Sequence, residues 1–370
     1  MNPQKTLHLG PADFEQASMI LSSGGIVALP TETVYGLAGN AFSSKSALKI
    51  FNAKERPSFD PLITHVSDEL LSAQAGVLMG LTRAGIVDGS VIGWTSAPVI
   101  ERMIRQFWPG PLTLILPRGP NIPDEVTSGS PRVGVRMPEH PLFQKVLKLT
   151  GFPLAAPSAN RFGRISPTTA EHVASELDGR IDAILDGGAC SVGVESTIIS
   201  LEESAAGGLI ATLLRPGKIS RIDLERSLGV PVGSGVGLGE KNQKIEAPGM
   251  LDQHYAPTKP LYLYPGPFPS REELDTWMRN SGVRGKTVFL CQDLASSRNL
   301  RSEDRRWVLT PMVDPEAAAR SLFSTLRSID EDASVEQILA ELPENTSEGL
   351  GAAIADRLNR ASVNKPLLKR

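Results

Sequence analysis

Apolar residues first recur at helical spacing between residues 13 and 23. Ala17, Ile20 and Leu21 share a face, Asp13 stands where a cap belongs, and Gly24-Gly25 ends the run. Residues 26–29 follow as a short apolar run closed by Pro30, the pattern of a buried strand. After Ser43-Ser44 the helical spacing returns at Ala47, Ile50 and Phe51, placing Lys54 and Arg56 at the C-terminal end just before Pro57. The pattern then predicts strands over 62–66, 112–116, 133–136 and 154–156, and helices over 100–107 and 143–149. A loop over 157–167 leads to a helix capped by Thr168 or Thr169, and further strands fall at 184–185, 197–201 and 212–214. Short strands mixed with helices in this order predict an α/β domain with a twisted sheet.

The pattern changes near Gly229. Glycines crowd residues 229–239, the run EKNQK follows, and then comes the more specific APGMLDQHYAP at 247–257. This reads as a solvated linker ending in a defined segment. Beyond it, strands at 261–264 and 287–290 and helices around Ala318, Leu322 and Leu326 and around Ile354, Leu358 and Ala361 predict a small α/β domain. The expected division is 1–228, linker 229–258, and 259–370. GSGVGLG misses the dinucleotide fingerprint, because its glycines alternate and no helix follows. Gly285-Lys286-Thr287 lacks the upstream glycine of a phosphate loop, which would fall at Asn280. Both are assigned to loops.

Composition narrows the class. The 370 residues suit two domains, and the balance of 41% hydrophobic and 21% charged residues excludes a disordered chain. The net charge of −3 lacks the basic excess of a sequence-independent nucleic-acid binder. Cys190 and Cys291 make no disulfide framework, and the five histidines make no metal-binding pair at HExxH spacing, so a reducing compartment is expected. No apolar run approaches the length of a membrane span, and the N-terminal residues carry no apolar signal core. A cytoplasmic location is the expectation.

The candidate chemistry lies beside strands. Pro30-Thr31-Glu32-Thr33-Val34-Tyr35-Gly36 follows the first strand, Lys54-x-Arg56-Pro57 ends the second helix, and Ser158-Ala159-Asn160 follows another strand with Arg161, Arg164 and Ser166 nearby. Gly193 to Thr197 precedes a strand and Arg215-Pro216-Gly217 ends one. Basic side chains, hydroxyls and an amide gathered at strand ends suit a polyanion such as a nucleoside triphosphate. Each residue alone has an ordinary reading: Lys54 as a solvated helix end, Ser158 and Asn160 as turn residues, Arg136 as a surface strand residue, His65 as a half-buried histidine. Spacing by itself reaches a nucleotide-binding α/β enzyme and stops there.

The blocks PTETVYGLAGNA, KIFNAKERP, PLITHV, WPGPLTLIL, VGVRMPEHP, AAPSANRFGRISPT, ILDGG, VGVESTII and LLRPG occur in the order of the YrdC family, and the chain resembles its long two-domain form. The resemblance implies a YrdC-like twisted mixed sheet, a linker serving as active-site lid, and a small Rossmann-like C-terminal domain. It implies an L-threonylcarbamoyladenylate synthase joining L-threonine, bicarbonate and ATP, with magnesium carried by the ATP. The product would pass to the tRNA threonylcarbamoyl transferase machinery for the modification at tRNA position 37, with at most a weak tRNA contact. By the same resemblance Thr33, His65, Arg136, Ala156 and Ser196 hold threonine. Lys54, Arg56, Ser158, Asn160, Ser166, Arg215 and Tyr255 hold ATP, with Lys54 and Arg56 acting electrostatically, and the backbone near Arg132 lines the nucleotide. His254 stands beside Tyr255 in the lid. Asp60 departs from the family pattern, which has asparagine there, and a carboxylate beside phosphate would repel it unless it points away. The stretch 76–96 is expected as a peripheral loop. Two other readings remain: a non-catalytic RNA-binding module of the same fold, and carbamoyl-phosphate chemistry, which in related hydrogenase-maturation proteins accompanies cysteine motifs absent here.

Overall fold

The computed structural model describes residues 5–71, 76–93, 95–204, 207–235, 248, 254–343 and 345–364. The end of the glycine run, EKNQK, and 247 and 249–253 of the APGMLDQHYAP segment lie outside the described residues.

The first unit is one sheet of eleven strands: β1 (Leu7–Leu9), β2 (Val27–Leu29), β3 (Gly36–Asn40), β4 (Ile63–His65), β5 (Leu112–Pro117), β6 (Arg132–Arg136), β7 (Leu154–Ala155), β8 (Ala183–Leu185), β9 (Thr197–Glu203), β10 (Leu209–Arg215) and β11 (Val232–Ser234). Their order is β1-β8-β2-β3-β7-β4-β6-β5-β9-β10-β11, with parallel and antiparallel pairs mixed. The helices are α1 (Phe14–Ser22), α2 (Ser44–Lys54), α3 (Val77–Arg83), α4 (Ser96–Phe107), α5 (Asp124–Thr127), α6 (Pro141–Thr150), α7 (Ala170–Leu177) and α8 (Arg221–Leu228). Strand alternation divides the core between the two faces. Ile26 and Ala28 pack with Ile50 and Phe51 of α2 and Ile104 of α4 on one side. Val27 and Leu29 pack with Leu21 of α1 and Phe143 of α6 on the other.

Three expectations are corrected, and one strand, β3, is added. Residues 76–96 are not a peripheral loop: α3 lies there with Val77, Leu78 and Leu81 buried. Its cap comes from Glu101 of α4, whose carboxylate accepts from the N–H groups of Val77 and Leu78 at 3.0 Å each, so no local signal marks its start. The stretch assigned to the linker from 229 begins with β11, paired in parallel with β10. The stretch around Gly36 runs into β3, whose Gly39 lets α2 approach closely; a Cβ there would meet Ile50 Cδ1 at 3.2 Å and Ser46 Cβ at 3.3 Å. Asp13 does not cap α1 with its side chain but accepts from Gly10 N at 2.8 Å.

The second unit is β12 (Leu261–Tyr264), α9 (Arg271–Ser281), β13 (Thr287–Cys291), β14 (Arg306–Val308), α10 (Pro315–Glu331), β15 (Gln337–Glu341) and α11 (Gly349–Ala361). Its four strands are all parallel, in the order β12-β15-β13-β14. Helix α9 covers one face and α10 and α11 the other. The α10–α11 core also takes in Val34, Ile165, Val192 and Val194 from the first unit, so the two units share an apolar seam. Among the described residues no helix is long and apolar enough to cross a membrane.

Gly193 permits that seam. Its φ is +85°, and a Cβ would stand 2.4 Å from Arg320 Cα and 2.5 Å from Ala319 O of α10. Gly193→Ala combines left-handed strain with a backbone clash and should cost about 2–4 kcal/mol in denaturant unfolding. Gly179→Ala, with φ +74° and nothing within 4 Å, should cost only the conformational part, about 1 kcal/mol. Equal losses in the two variants would refute the clash.

Candidate active site

The turn between β2 and β3 is built by a threonine. Thr31 Oγ1 accepts from the N–H groups of Thr33 and Val34 at 3.1 Å each and donates to Val34 O at 2.6 Å. Its one proton is thereby used, so in the 2.8 Å contact with Thr33 Oγ1 the Thr33 hydroxyl donates. Thr33 keeps its lone pairs toward a cavity also lined by His65, Arg136 and Ala156. The parallel register of β4 and β6 places His65 opposite Arg136. Arg136 Nη2 meets Glu32 Oε1 at 2.5 Å, and Glu32 Oε2 accepts from Glu139 N at 3.1 Å. Arg136 Nε donates to Gly110 O at 3.3 Å, which leaves Nη1 for another partner.

Arg56, Ser158, Arg215, Pro248, His254 and Tyr255 line the same cavity. Lys54, at the end of α2, is 1% exposed; Nζ donates to Ser158 O at 2.5 Å and to Asn160 O. Arg56 donates to the carbonyls of Asp60 (2.9 Å) and Pro61 (2.8 Å). Arg215 donates to Ser196 O and to Ser196 Oγ, both at 3.0 Å, and to Pro248 O at 3.2 Å. Ser196 Oγ also meets Thr113 Oγ1 at 2.8 Å. Glu195 reaches the cavity between Ser166 Oγ, which donates to Oε1, and Arg357 of α11, whose Nε lies 2.9 Å from Oε2. Tyr255 has φ +62° and sits between the Phe323 ring, stacked at 5.9 Å, and the Arg357 guanidinium at 5.4 Å.

Burial dominates the electrostatics. It lowers the Lys54 pKa well below the usual value, with repulsion from Arg56 adding to it. His65 falls to about 3 through burial and then the Arg136 charge, so its ring is neutral. His254 is lowered by burial and by Arg56, Lys54, Arg360 and Arg215 together. Tyr255 is raised by burial and by Glu195, which outweigh Arg357 and Arg215. The His254 Nδ1, the Tyr255 hydroxyl and Asn160 Oδ1 are buried without a hydrogen bond.

The structure therefore brings together Thr33, His65, Arg136, Ala156, Ser158, Arg56, Arg215, His254 and Tyr255, with Lys54, Asn160, Ser166 and Ser196 directly behind them. It does not bring the Arg132 side chain there. That guanidinium donates to the carbonyls of Ile115 and Leu201 at 2.7 Å each and lines a separate cavity beside Leu209. Asp60 turns away from the cavity and pairs with Arg56 Nη2 at 2.9 Å, fully buried; neither of its oxygens has a well-directed hydrogen bond, and burial raises its pKa against the pull of Arg56. Glu32, Glu195 and Arg357 were given no role by the sequence. Glu32 and Glu195 lie inside the motifs of the first domain and could have been picked out as the carboxylates matching buried arginines; Arg357 lies inside GLGAAIADRLNRAS, a segment that resembles the family's C-terminal domain without marking which residue acts.

Residues 19–217 match the Sua5/YciO/YrdC family, described as "Telomere recombination", and residues 219–363 match "Threonylcarbamoyl-AMP synthase, C-terminal domain". The threonylcarbamoyl-AMP synthase of Bacillus subtilis is 40% identical over 94% of this chain and 92% of its own. That of Pyrococcus abyssi is 36% identical over 94% and 93%. The chain belongs to the threonylcarbamoyl-AMP synthase family. The crystal structure of P. abyssi Sua5 complexed with L-threonine superposes with a TM-score of 0.78 at 33% identity, covering 97% of this chain and 98% of that one. The expected mixed-sheet fold with a second parallel-sheet domain thus holds across both units, and the family membership makes this chain an enzyme.

In this synthase-family site the neutral buried His65 has a stability consequence. The unfolded chain binds a proton at His65 below the usual pKa of 6.5 and the folded chain does not until about 3. Stability is complete above pH 6.5 and is lost as pH falls through that window, at about 1.4 kcal/mol per pH unit for one proton. His65→Gln should flatten that part of the profile in pH-dependent urea unfolding; an unchanged slope would place the acid sensitivity elsewhere.

Proposed function

We propose that this cavity joins L-threonine, bicarbonate and ATP into threonylcarbamoyl-AMP and pyrophosphate by charge and position, without a protein nucleophile. The observation that carries the reading is the set of three buried arginines, Arg56, Arg136 and Arg215, that line one small cavity, with Lys54 behind them. Two of them are matched by Asp60 and Glu32, which fixes their geometry and leaves a positive balance for anionic substrates.

Arg136 offers its remaining edge to the threonine carboxylate, with Glu32 holding the opposite edge. Thr33, His65, Ala156 and Ser196 frame the rest of the amino acid. The threonine nitrogen bonds to the carbon of bicarbonate with loss of water, giving an N-carboxylate. One of its oxygens then bonds to the α-phosphorus of ATP, and the bond to the bridging oxygen breaks, the electron pair leaving with pyrophosphate. Arg56, Arg215 and the Tyr255 hydroxyl are the donors facing the phosphates in this reading. Lys54 orders the Ser158 and Asn160 carbonyls, and Ser166 orients Glu195. Among the described residues no three His, Cys, Asp or Glu side chains gather to hold a metal. The nearby carboxylates are engaged with Arg136, Arg56 and Arg357, so the residues fit magnesium carried on the phosphates and its waters. The cavity volume of about 40 Å³ admits about three waters. A nucleotide enters only with movement of Pro248, His254 and Tyr255, described residues of the expected lid that line the cavity. The product, a mixed anhydride, is suited to hand its acyl group to a tRNA-modifying transferase in the cytoplasm. A non-catalytic RNA-binding role is not favoured, because the basic side chains are buried rather than spread on an open face.

Pyrophosphate release should require threonine and bicarbonate together with ATP; release independent of either would overturn the reading. Arg136→Lys should raise the threonine KM at least about tenfold, the loss of one bidentate contact. Lys54→Met and Arg56→Met should each lower kcat/KM by about 100-fold or more, and wild-type rates in both would refute their roles.

A further inference from the structure

The second domain contains a larger cavity than the active site. Its volume is about 500 Å³, and it opens at the carboxyl ends of β13 and β15. These strands are neighbours, but their exits part. The chain after β13 packs Leu300 with α9 on one face, whereas the chain after β15 enters α11 on the other. Adjacent parallel strands whose connections diverge leave a crevice between them, and α/β sheets place ligands in that crevice.

The walls state what would fit. Phe268, Leu342, Leu350 and Ile354 supply apolar surface, and Val313, 77% exposed, stands at the edge. Among the described lining residues the only charged side chains are Asp293, Asp314, Glu341 and Glu348; there is no lysine, arginine or histidine. Two of the four are committed to the protein. Glu341 accepts from Phe268 N and Gln292 N, both at 2.7 Å, and Glu348 accepts from Arg221 N at 3.0 Å. Among the described residues Asp293 and Asp314 use only Oδ1, on the amides of Ser296 and of Glu316 and Ala317, and no hydrogen bond falls on either Oδ2. Glu348 also pairs with Arg221 Nε at 3.5 Å, so the charge left facing the cavity is that of Asp293 and Asp314, and a phosphate or carboxylate would be repelled by it. A primary ammonium group beside Asp293 and Asp314, with an apolar body against Phe268 and Ile354, meets both halves of the lining.

We propose that this cavity is a binding site for a small primary amine with an apolar body, separate from the synthase site. Three compounds of matched shape test it on the full chain: phenethylamine, 2-phenylethanol and phenylacetate, followed by ligand-observed NMR titration. Phenethylamine should bind at least tenfold more tightly than phenylacetate, with the alcohol between them. Asp314→Asn keeps the helix cap, and with Asp293→Asn it should weaken the amine about fivefold or more while leaving the alcohol unchanged. Ala295→Trp, at an exposed lining position, should block all binding without altering pyrophosphate release. Binding of phenylacetate as tight as that of the amine would overturn the proposal. So would amine binding indifferent to Ala295→Trp, or no binding by any of the three, which would make the cavity a packing void.

Discussion

The contact on which the two-domain arrangement turns is Arg357 with Glu195. Arg357 belongs to the last helix and is fully buried, yet its Nε bonds a carboxylate that lines the first domain's cavity, and its Nη1 donates to Pro216 O at 2.8 Å. Burial works against its charge, but Tyr255, Glu195 and Asp356 more than offset that cost. Removing one partner of such a pair strands the other and costs about 3–5 kcal/mol. The pair therefore fixes three things at once: the docking of α11, the orientation of Glu195, and the cationic face on which Tyr255 rests. The second domain is part of the active site's wall, which is why deleting it would damage the first.

The same economy runs through the site's other charges. Arg56, Arg136 and Arg215 line the cavity and are each pinned by a carboxylate or backbone carbonyl. A pinned guanidinium loses little entropy when a substrate arrives, and its partner charge keeps it folded in the empty state. Asp60 illustrates the point. A carboxylate appeared hostile to ATP when read in one dimension, but in three dimensions it faces Arg56 and sets that side chain's position. Its oxygens remain poorly bonded, so Asp60 is the weakest member of the set by hydrogen bonding.

What the sequence disclosed followed the range of each interaction. Strand alternation and helix spacing marked β2, α2, β5 and β6 because those signals are local. The sequence offers Thr168 or Thr169 as the cap of α7, and the cap is Thr169, whose side chain accepts from His172 N; Ser43, just ahead of the predicted α2, accepts from Ser46 N. Helix α3 was not readable, since its cap lies on Glu101, and β11 hid in a glycine-rich run that only its pairing with β10 makes a strand. For the site, motif order supplied Thr33, Lys54, Arg56, Arg136 and Arg215. For Arg132 it implied a backbone contact, and the side chain faces a separate cavity beside Leu209. Glu32 and Arg357 were missed because their meaning depends on partners 104 and 162 positions away.

Tyr255 shows how these levels combine. Its left-handed φ of +62° is costly for a bulky side chain, about 1–2 kcal/mol. The Phe323 ring and the Arg357 guanidinium, both from the second domain, compensate. The hydroxyl they hold over the cavity lies beside Arg215 without a well-formed hydrogen bond among the described residues, a second cost that a phosphate would relieve. A strained residue clamped by a neighbouring domain, with an unsatisfied polar tip in a cavity too small for a nucleotide, is poised between two arrangements. Under the proposed reaction, entry of a phosphate-bearing substrate would loosen the clamp, and its contact with the hydroxyl would offset part of what the loosening costs.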